Sequence, residues 1–346
     1  MSTAAREDLA PVAITMGCPA GIGPEIICRL FGREDFFYLI PGRAVVVGDI
    51  AVLRQAAAKL GMGLPIGKWQ PGQPVNSGRI PVLQVGPPRS EPVHWGQPDA
   101  ACGLVMGRCI EEAVKLVSAH ACSAIVTCPI SKKSLQAAGY PYPGHTEMLA
   151  ALTGSPRVRM MMAGPRLKVI LVTIHVALRQ VPELLSVAEI ADCIDMTRTA
   201  LQRDFGLAAP RIAVAGLNPH GGENGLFGDE EERIIKPALA PFAADQVSGP
   251  WPPDTIFHQA AEGQYDAVIA MYHDQGLIPF KLLHFQDGVN VTLGLPLVRT
   301  SVDHGTAYDI AGKNLADPSS LAAALDMAQT IVANRRRGGG PCSPAC

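Results

Sequence analysis

Three short apolar runs in this chain end in the same way. Lys168–His175 reads KVILVTIH, Arg211–His220 reads RIAVAGLNPH, and Asp266–Lys281 reads DAVIAMYHDQGLIPFK. An unbroken apolar stretch that turns abruptly polar is the pattern of a buried strand running into a loop. In an open parallel sheet, ligands bind just beyond the carboxyl ends of the strands. The pattern therefore predicts His175, His220 and His273 at three such ends, gathered around one metal ion. Neutral imidazole is the commonest transition-metal ligand, and three of them leave coordination positions open for a substrate oxygen or water. Any single histidine at a strand end is more often a hydrogen-bonded structural residue; three on one grammar are not. Asp274, next to His273, is a candidate to orient an imidazole, and Asp254 is a second.

The rest of the chain repeats strand and helix in alternation, which predicts an α/β fold with a largely parallel sheet. Strands are expected at Val12–Met16, Ala44–Val47, Ile80–Val85, Ala124–Thr127 and Val289–Leu293, and helices over Ile50–Leu60, Asp99–His120, Val187–Phe205, Asp254–Ala261 and Ser319–Ala333. Arg157–Met162 and Lys168–Ile174, with a Gly-Pro turn between them, read as a hairpin. The formal charge of -2 excludes a strong general field for nucleic acid. No apolar run approaches the roughly 20 residues that cross a bilayer, and the N-terminus lacks a secretory h-region, so a cytoplasmic protein is expected. Nine scattered cysteines without a C-x-x-C read as reduced, small hydrophobes.

Two further groups of residues carry chemistry. Lys281, Asn290 and Arg299 follow the third histidine among apolar runs and glycine turns. A planar guanidinium, a point charge and an amide donor suit a phosphate or carboxylate. His145 and Thr146, in GHTE at a helix start, add donors for the same anion. The segment HGTAYDIAGK offers small residues at His304, Gly305, Thr306 and Ala307 for close approach to a flat ligand, and Asp309 for ribose hydroxyls. That carboxylate favours NAD over NADP. The loop GCPAGIGPE fits neither G-x-G-x-x-G nor a Walker sequence; it presents backbone N–H groups to an anion or is simply a tight turn.

The ordered set GCPAGIGPEI, PISK, GHTEMLA, GLNPHGGENGLFG, AMYHDQGLIPFK, GVNVTLGLP and RTSVDHGTAYDIAGK resembles the 4-hydroxythreonine-4-phosphate dehydrogenase family, over about Val12 to Ala333. The resemblance implies an isopropylmalate dehydrogenase-like fold: two α/β/α domains with the active-site cleft between them. It places a discontinuous cofactor-side domain at 1–130 plus 286–335, a metal, substrate and dimerisation domain at 131–285, and a disordered tail at 336–346. It implies His175, His220 and His273 as ligands of one divalent metal (Zn, Mg or Co), and His145, Thr146, Lys281, Asn290 and Arg299 as substrate contacts. NAD or NADP is the expected cofactor, and a homodimer with the metal site at the subunit interface the expected assembly, with no nucleic-acid or membrane partner. The expected reaction is oxidation of 4-phosphooxy-L-threonine to 2-amino-3-oxo-4-phosphooxybutanoate, which loses CO2 to give 3-amino-2-oxopropyl phosphate. Lys132, in PISK, is the candidate base, with a bound water as its rival. A paralogue acting on 4-phospho-D-threonate or 4-phospho-D-erythronate is the alternative, and a non-catalytic metabolite-binding regulator is the alternative from another class. The family carries an acid where this chain has Cys18.

Overall fold

The computed structural model describes residues 10–33, 44–75 and 78–338. In chain order its strands are β1 (Val12–Thr15), β2 (Ala44–Gly48), β3 (Ile66–Lys68), β4 (Ile80–Gln84), β5 (Ala124–Thr127), β6 (Arg159–Ala163), β7 (Lys168–Leu171), β8 (Ile212–Ala215), β9 (Val247–Trp251), β10 (Ala267–Ala270), β11 (Val289–Leu293) and β12 (Arg299–Val302). They divide between two compact units, one running up to Arg157 and resuming over Leu295–Ala333, the other comprising Val158–Gly294 and residues from Asn334 onward. The divisions fall at 157/158 and 294/295, where 130/131 and 285/286 were expected. PISK and GHTE consequently belong with the first unit, because their helices pack on Ala100–Ser118 of that unit.

In the first unit the strands run β3-β4-β2-β1-β5-β12, every pair parallel. In the second the order is β11-β6-β7-β10-β8-β9. There β6 pairs antiparallel with both β11 and β7, while β7, β10, β8 and β9 are mutually parallel neighbours. The β6–β7 hairpin is the predicted one, closed by the Gly164 N–H donating to Leu167 O. Strands β7, β10 and β8 are buried on both faces, apart from partly exposed Lys168 at the start of β7, and their near-continuous Val/Ile/Leu/Ala content follows from that. The core beneath them joins Val169, Leu171, Ala213, Val268, Leu277 and Phe280. Each fully buried large side chain there contributes roughly 1.5–3 kcal/mol.

Two expectations need correcting. The residues YHDQG after β10 are not a loop: His273–Leu283 is a helix with Tyr272 at its N-cap. Gly276 sits inside it because a Cβ there would lie 2.5 Å from Val169 Cγ1 on the strand below. The last helix also outruns its predicted end, covering Ser319–Arg337, so residues 336 and 337 of the expected tail are helical, and 339–346 lie outside the described residues. Its end is held by Asp204, which is 2% exposed and accepts from Arg335 Nε at 2.7 Å and Nη2 at 3.1 Å, and likewise from Arg203.

Burial alone would raise the Asp204 pKa, but the Arg335 and Arg203 forks outweigh it and leave it below the ordinary carboxylate value. A depressed folded-state pKa contributes stability that is present above the unfolded value and lost as pH falls through the folded one. Asp204→Asn is expected to cost about 3 kcal/mol, because two guanidinium groups lose their buried counter-charge. Urea midpoints read against pH check this: the gap between wild type and variant should shrink on acidification.

Candidate active site

In the second unit, His175 follows β7, His273 follows β10 and His220 follows β8, and these strands are adjacent and parallel in the order β7-β10-β8. The strand ends are stitched together. Thr173 donates to Met271 O through both its N–H (3.2 Å) and its hydroxyl (2.8 Å). Buried Gln275 accepts from the Met271 N–H at 2.6 Å and donates to Gly216 O at 2.7 Å, so one side chain spans from β10 to the loop after β8. His175 and His273 are brought together, with ring centroids 5.9 Å apart. His273 Nδ1 lies 2.7 Å from Asp274 Oδ1, a contact that orients the ring. Asp254 stands exposed in the first turn of Pro253–Ala261.

His220 is placed differently. It lies exposed at φ +55 in a run of left-handed residues, followed by Gly221 (+66), Gly222 (+80), Glu223 (+43), Asn224 (+57) and Gly225 (+92). Each non-glycine residue held there costs on the order of 1 kcal/mol. Its ring is 6.2 Å from that of Phe227. Among the described residues no group of three His, Cys, Asp or Glu side chains is gathered closely enough to hold a metal ion. The pair His175/His273, with Asp274 behind it, fits the donor chemistry of a divalent transition metal; His220 does not join it within this chain.

Helix His273–Leu283 carries Lys281 in its last turn and leaves Ile278 and Leu282 exposed at 68% and 85%, and Phe285, in the turn that follows, is 79% exposed. Asn290 is on β11, and its Oδ1 is buried with no hydrogen-bond partner.

In the first unit, Arg299 opens β12 and is 3% exposed. It donates from Nη2 to Thr127 Oγ1 on β5 at 2.7 Å. Burial pulls its pKa down to about 10, partly offset by the Glu147 carboxylate, so the guanidinium stays charged at neutral pH. His145 and Thr146 begin helix His145–Thr153 after an extended Gly144. Burial, and then the charge of Arg299, hold His145 well below its ordinary pKa, and its Nε2 is buried without a partner. A neutral imidazole and a buried guanidinium at a helix N-terminus form a ready anion site. Lys132, exposed at the start of Lys132–Ala137, approaches the same turn: a Cβ on Gly144 would lie 3.7 Å from its Cε.

The glycine loop after β1 resolves as a packing device. A Cβ at Gly17 would lie 2.5 Å from Pro129 O, one at Gly23 would lie 2.2 Å from Met16 O, and one at Gly21 would lie 3.0 Å from Thr306 O. The loop therefore supports the HGTAYDIAGK segment. Buried Glu25 accepts from the N–H groups of Gly312 and Ala316, both at 3.2 Å, and the Ile22 N–H donates to Thr306 O. Cys18 Sγ lies 3.3 Å from the Tyr308 hydroxyl. A hydrogen bond from Cys102, then that of Tyr308 and the N–H groups of Ala20 and Gly21, lower the Cys18 pKa against the opposing effect of burial. On the supported segment, His304 Nε2 is buried without a partner, Gly305 and Asp309 are exposed, and Ala307 takes φ +42. An orphaned ring nitrogen beside exposed small residues fits a dinucleotide. Tyr308, Glu25 and Gln275 escaped the sequence reading, although each lies inside a motif it used.

Comparison with known proteins places the chain among relatives. A relative from Desulfosudis oleivorans, 4-hydroxythreonine-4-phosphate dehydrogenase, is 54% identical over 92% of this chain and 94% of its own. A D-threonate 4-phosphate dehydrogenase from Salmonella typhimurium is 46% identical over 93% of this chain and 98% of its own. The crystal structure of 4-hydroxythreonine-4-phosphate dehydrogenase from Klebsiella pneumoniae superposes with a TM-score of 0.85 at 44% identity, covering 94% of this chain and 98% of that one. The family model for the pyridoxal phosphate biosynthetic protein PdxA matches residues 42–328, and the chain belongs to that family.

Proposed function

We propose that this protein oxidises 4-phosphooxy-L-threonine to 2-amino-3-oxo-4-phosphooxybutanoate, with NAD or NADP as oxidant and a divalent metal as cofactor. The product loses CO2 to give 3-amino-2-oxopropyl phosphate. The observation that carries the reading is the buried, charged Arg299 beside a neutral His145 at a helix start, in a chain 54% identical to a dehydrogenase of that name. Arg299 and the imidazole of His145, with the Thr146 hydroxyl, bind the phosphate dianion. Lys281 and Asn290 are further substrate contacts, the second through its orphaned Oδ1.

His175, His220 and His273 hold the ion, with Asp274 orienting His273. The chemistry supplied by such an ion is that of a Lewis acid, lowering the pKa of a substrate hydroxyl. A nicotinamide dinucleotide held by His304, Gly305, Thr306, Ala307 and Asp309 supplies the hydride acceptor. Lys132 is the proton acceptor for the hydroxyl. Exposed Ile278 and Leu282 on the helix that carries His273, with Phe285 in the turn after it, support a homodimer covering that face, with the metal set closing at the interface. The reaction takes place in the cytoplasm; no helix among the described residues is long and apolar enough to cross a membrane.

The 46% identical D-threonate enzyme supports a second reading, in which 4-phospho-D-threonate is the substrate. The test measures NADH or NADPH release from 4-phosphooxy-L-threonine, 4-phospho-D-threonate and 4-phospho-D-erythronate, with and without chelator, on protein of light-scattering-determined mass. The L-threonine derivative should give the highest kcat/KM, and chelator should abolish turnover. Preference for a D-acid would transfer the assignment to the paralogue, and turnover untouched by chelator would remove the metal.

A further inference from the structure

We infer that Glu231 is a positioning residue: its buried carboxylate holds the left-handed loop that presents His220. It is 2% exposed, and its hydrogen-bond partners are loop donors. One oxygen accepts from the N–H groups of Leu217 and Asn218, both at 2.8 Å, and the other from Asn218 Nδ2 at 3.0 Å. Asn218 Nδ2 also reaches Glu230 Oε2 at 2.7 Å. The loop is cut to fit this carboxylate. A Cβ at Gly222 would lie 2.6 Å from Glu231 Oε2, one at Gly216 would lie 3.1 Å from Oε1, and one at Gly228 would lie 2.5 Å from Asn218 Nδ2.

Glu231 itself begins a single wide turn, Glu231–Ile235, of π-helical form. Such turns insert one residue into a helix and are frequent at functional sites. Here the turn follows a run of positive-φ residues from His220 to Gly225, a backbone that costs energy and needs an external clamp. The charge suits that clamp, because an ionised carboxylate makes stronger hydrogen bonds to N–H donors than a neutral acceptor does.

The metal consequence rests on the reading of His220 as a ligand; the positioning itself does not. The test compares Glu231→Ala, Glu231→Gln and His220→Ala with wild type in two measurements. Amide hydrogen exchange over residues 217–228 is followed in protein without added metal, and Zn2+ affinity is read by competition with a chromogenic chelator. Glu231→Ala should speed exchange in that segment at least about tenfold, leave exchange in β7 and β10 unchanged, and weaken Zn2+ binding roughly 10–100-fold. Glu231→Gln retains one carbonyl for the two backbone N–H groups and should fall between. If Glu231→Ala does not fold, the glutamine variant carries the test. Exchange over 217–228 at the wild-type rate in a folded Glu231 variant would overturn the inference. Wild-type Zn2+ affinity in His220→Ala, together with a loosened loop in Glu231→Ala, would instead overturn the metal role of His220 and leave the positioning role standing.

Discussion

Replacing His273 with alanine is expected to lower kcat about 10³-fold or more while the melting transition stays near that of wild type. That corresponds to about 4 kcal/mol of transition-state stabilisation, the scale of a lost Lewis acid. The stability expectation follows from exposure. The His273 side chain is 39% exposed and bonds to Asp274, itself 72% exposed, so truncation opens no cavity. The chain past Met271 is held by Gln275 and Thr173, neither of which the substitution touches. His175→Ala should match it, because the two rings sit 5.9 Å apart. The double variant should add little, as residues acting as one unit are not additive. Metal content by atomic absorption and kcat at saturating metal make the measurement. Wild-type turnover in metal-stripped His273→Ala would refute the assignment.

The second large effect is expected at Arg299. Arg299→Met keeps most of the volume but removes a buried charge, and kcat/KM for the phosphorylated substrate should fall on the order of 100-fold, about 3 kcal/mol. KM should carry most of the loss, with KM for the dinucleotide unchanged. Lysine should rescue poorly, since a point charge cannot keep the Thr127 contact and also grip a phosphate with a planar fork. The neutral state of His145 depends in part on Arg299. Losing the guanidinium should therefore raise the His145 pKa, visible by NMR titration of its ring protons. An unchanged KM would dismiss the phosphate assignment.

How much of this was legible in the sequence varies by element, for physical reasons. Strands β7, β8 and β10 are buried on both faces, and a strand in that position must be almost wholly apolar, so its ends show in the sequence. Strand β12 was read as loop because RTSV looks polar. Its polar groups are satisfied inside the first unit: Thr300 donates to Ala324 O at 2.7 Å, Ser301 to Thr127 O at 3.2 Å, and Arg299 to Thr127. Strands β3 (IGK) and β9 (VSGPW) are too short or too rich in Gly and Pro to register. The HDQG segment was read as loop because glycine usually breaks helices, and only the strand packed beneath Gly276 shows why it does not here.

The sequence alone determined the side chains available: three histidines after strand ends, an anion-site candidate at 145–146 and 299, and a parallel α/β scaffold. Local composition carries those features, because burial and turn formation act on neighbouring residues. Only the tertiary structure decided which of them meet. It paired His175 with His273 but not His220, packed the glycine loop, which the sequence reads as an anion cradle or a tight turn, against the 304–313 segment, and set Cys18 against Tyr308. Contacts between residues up to 291 positions apart in the chain arise from packing, which no local pattern encodes.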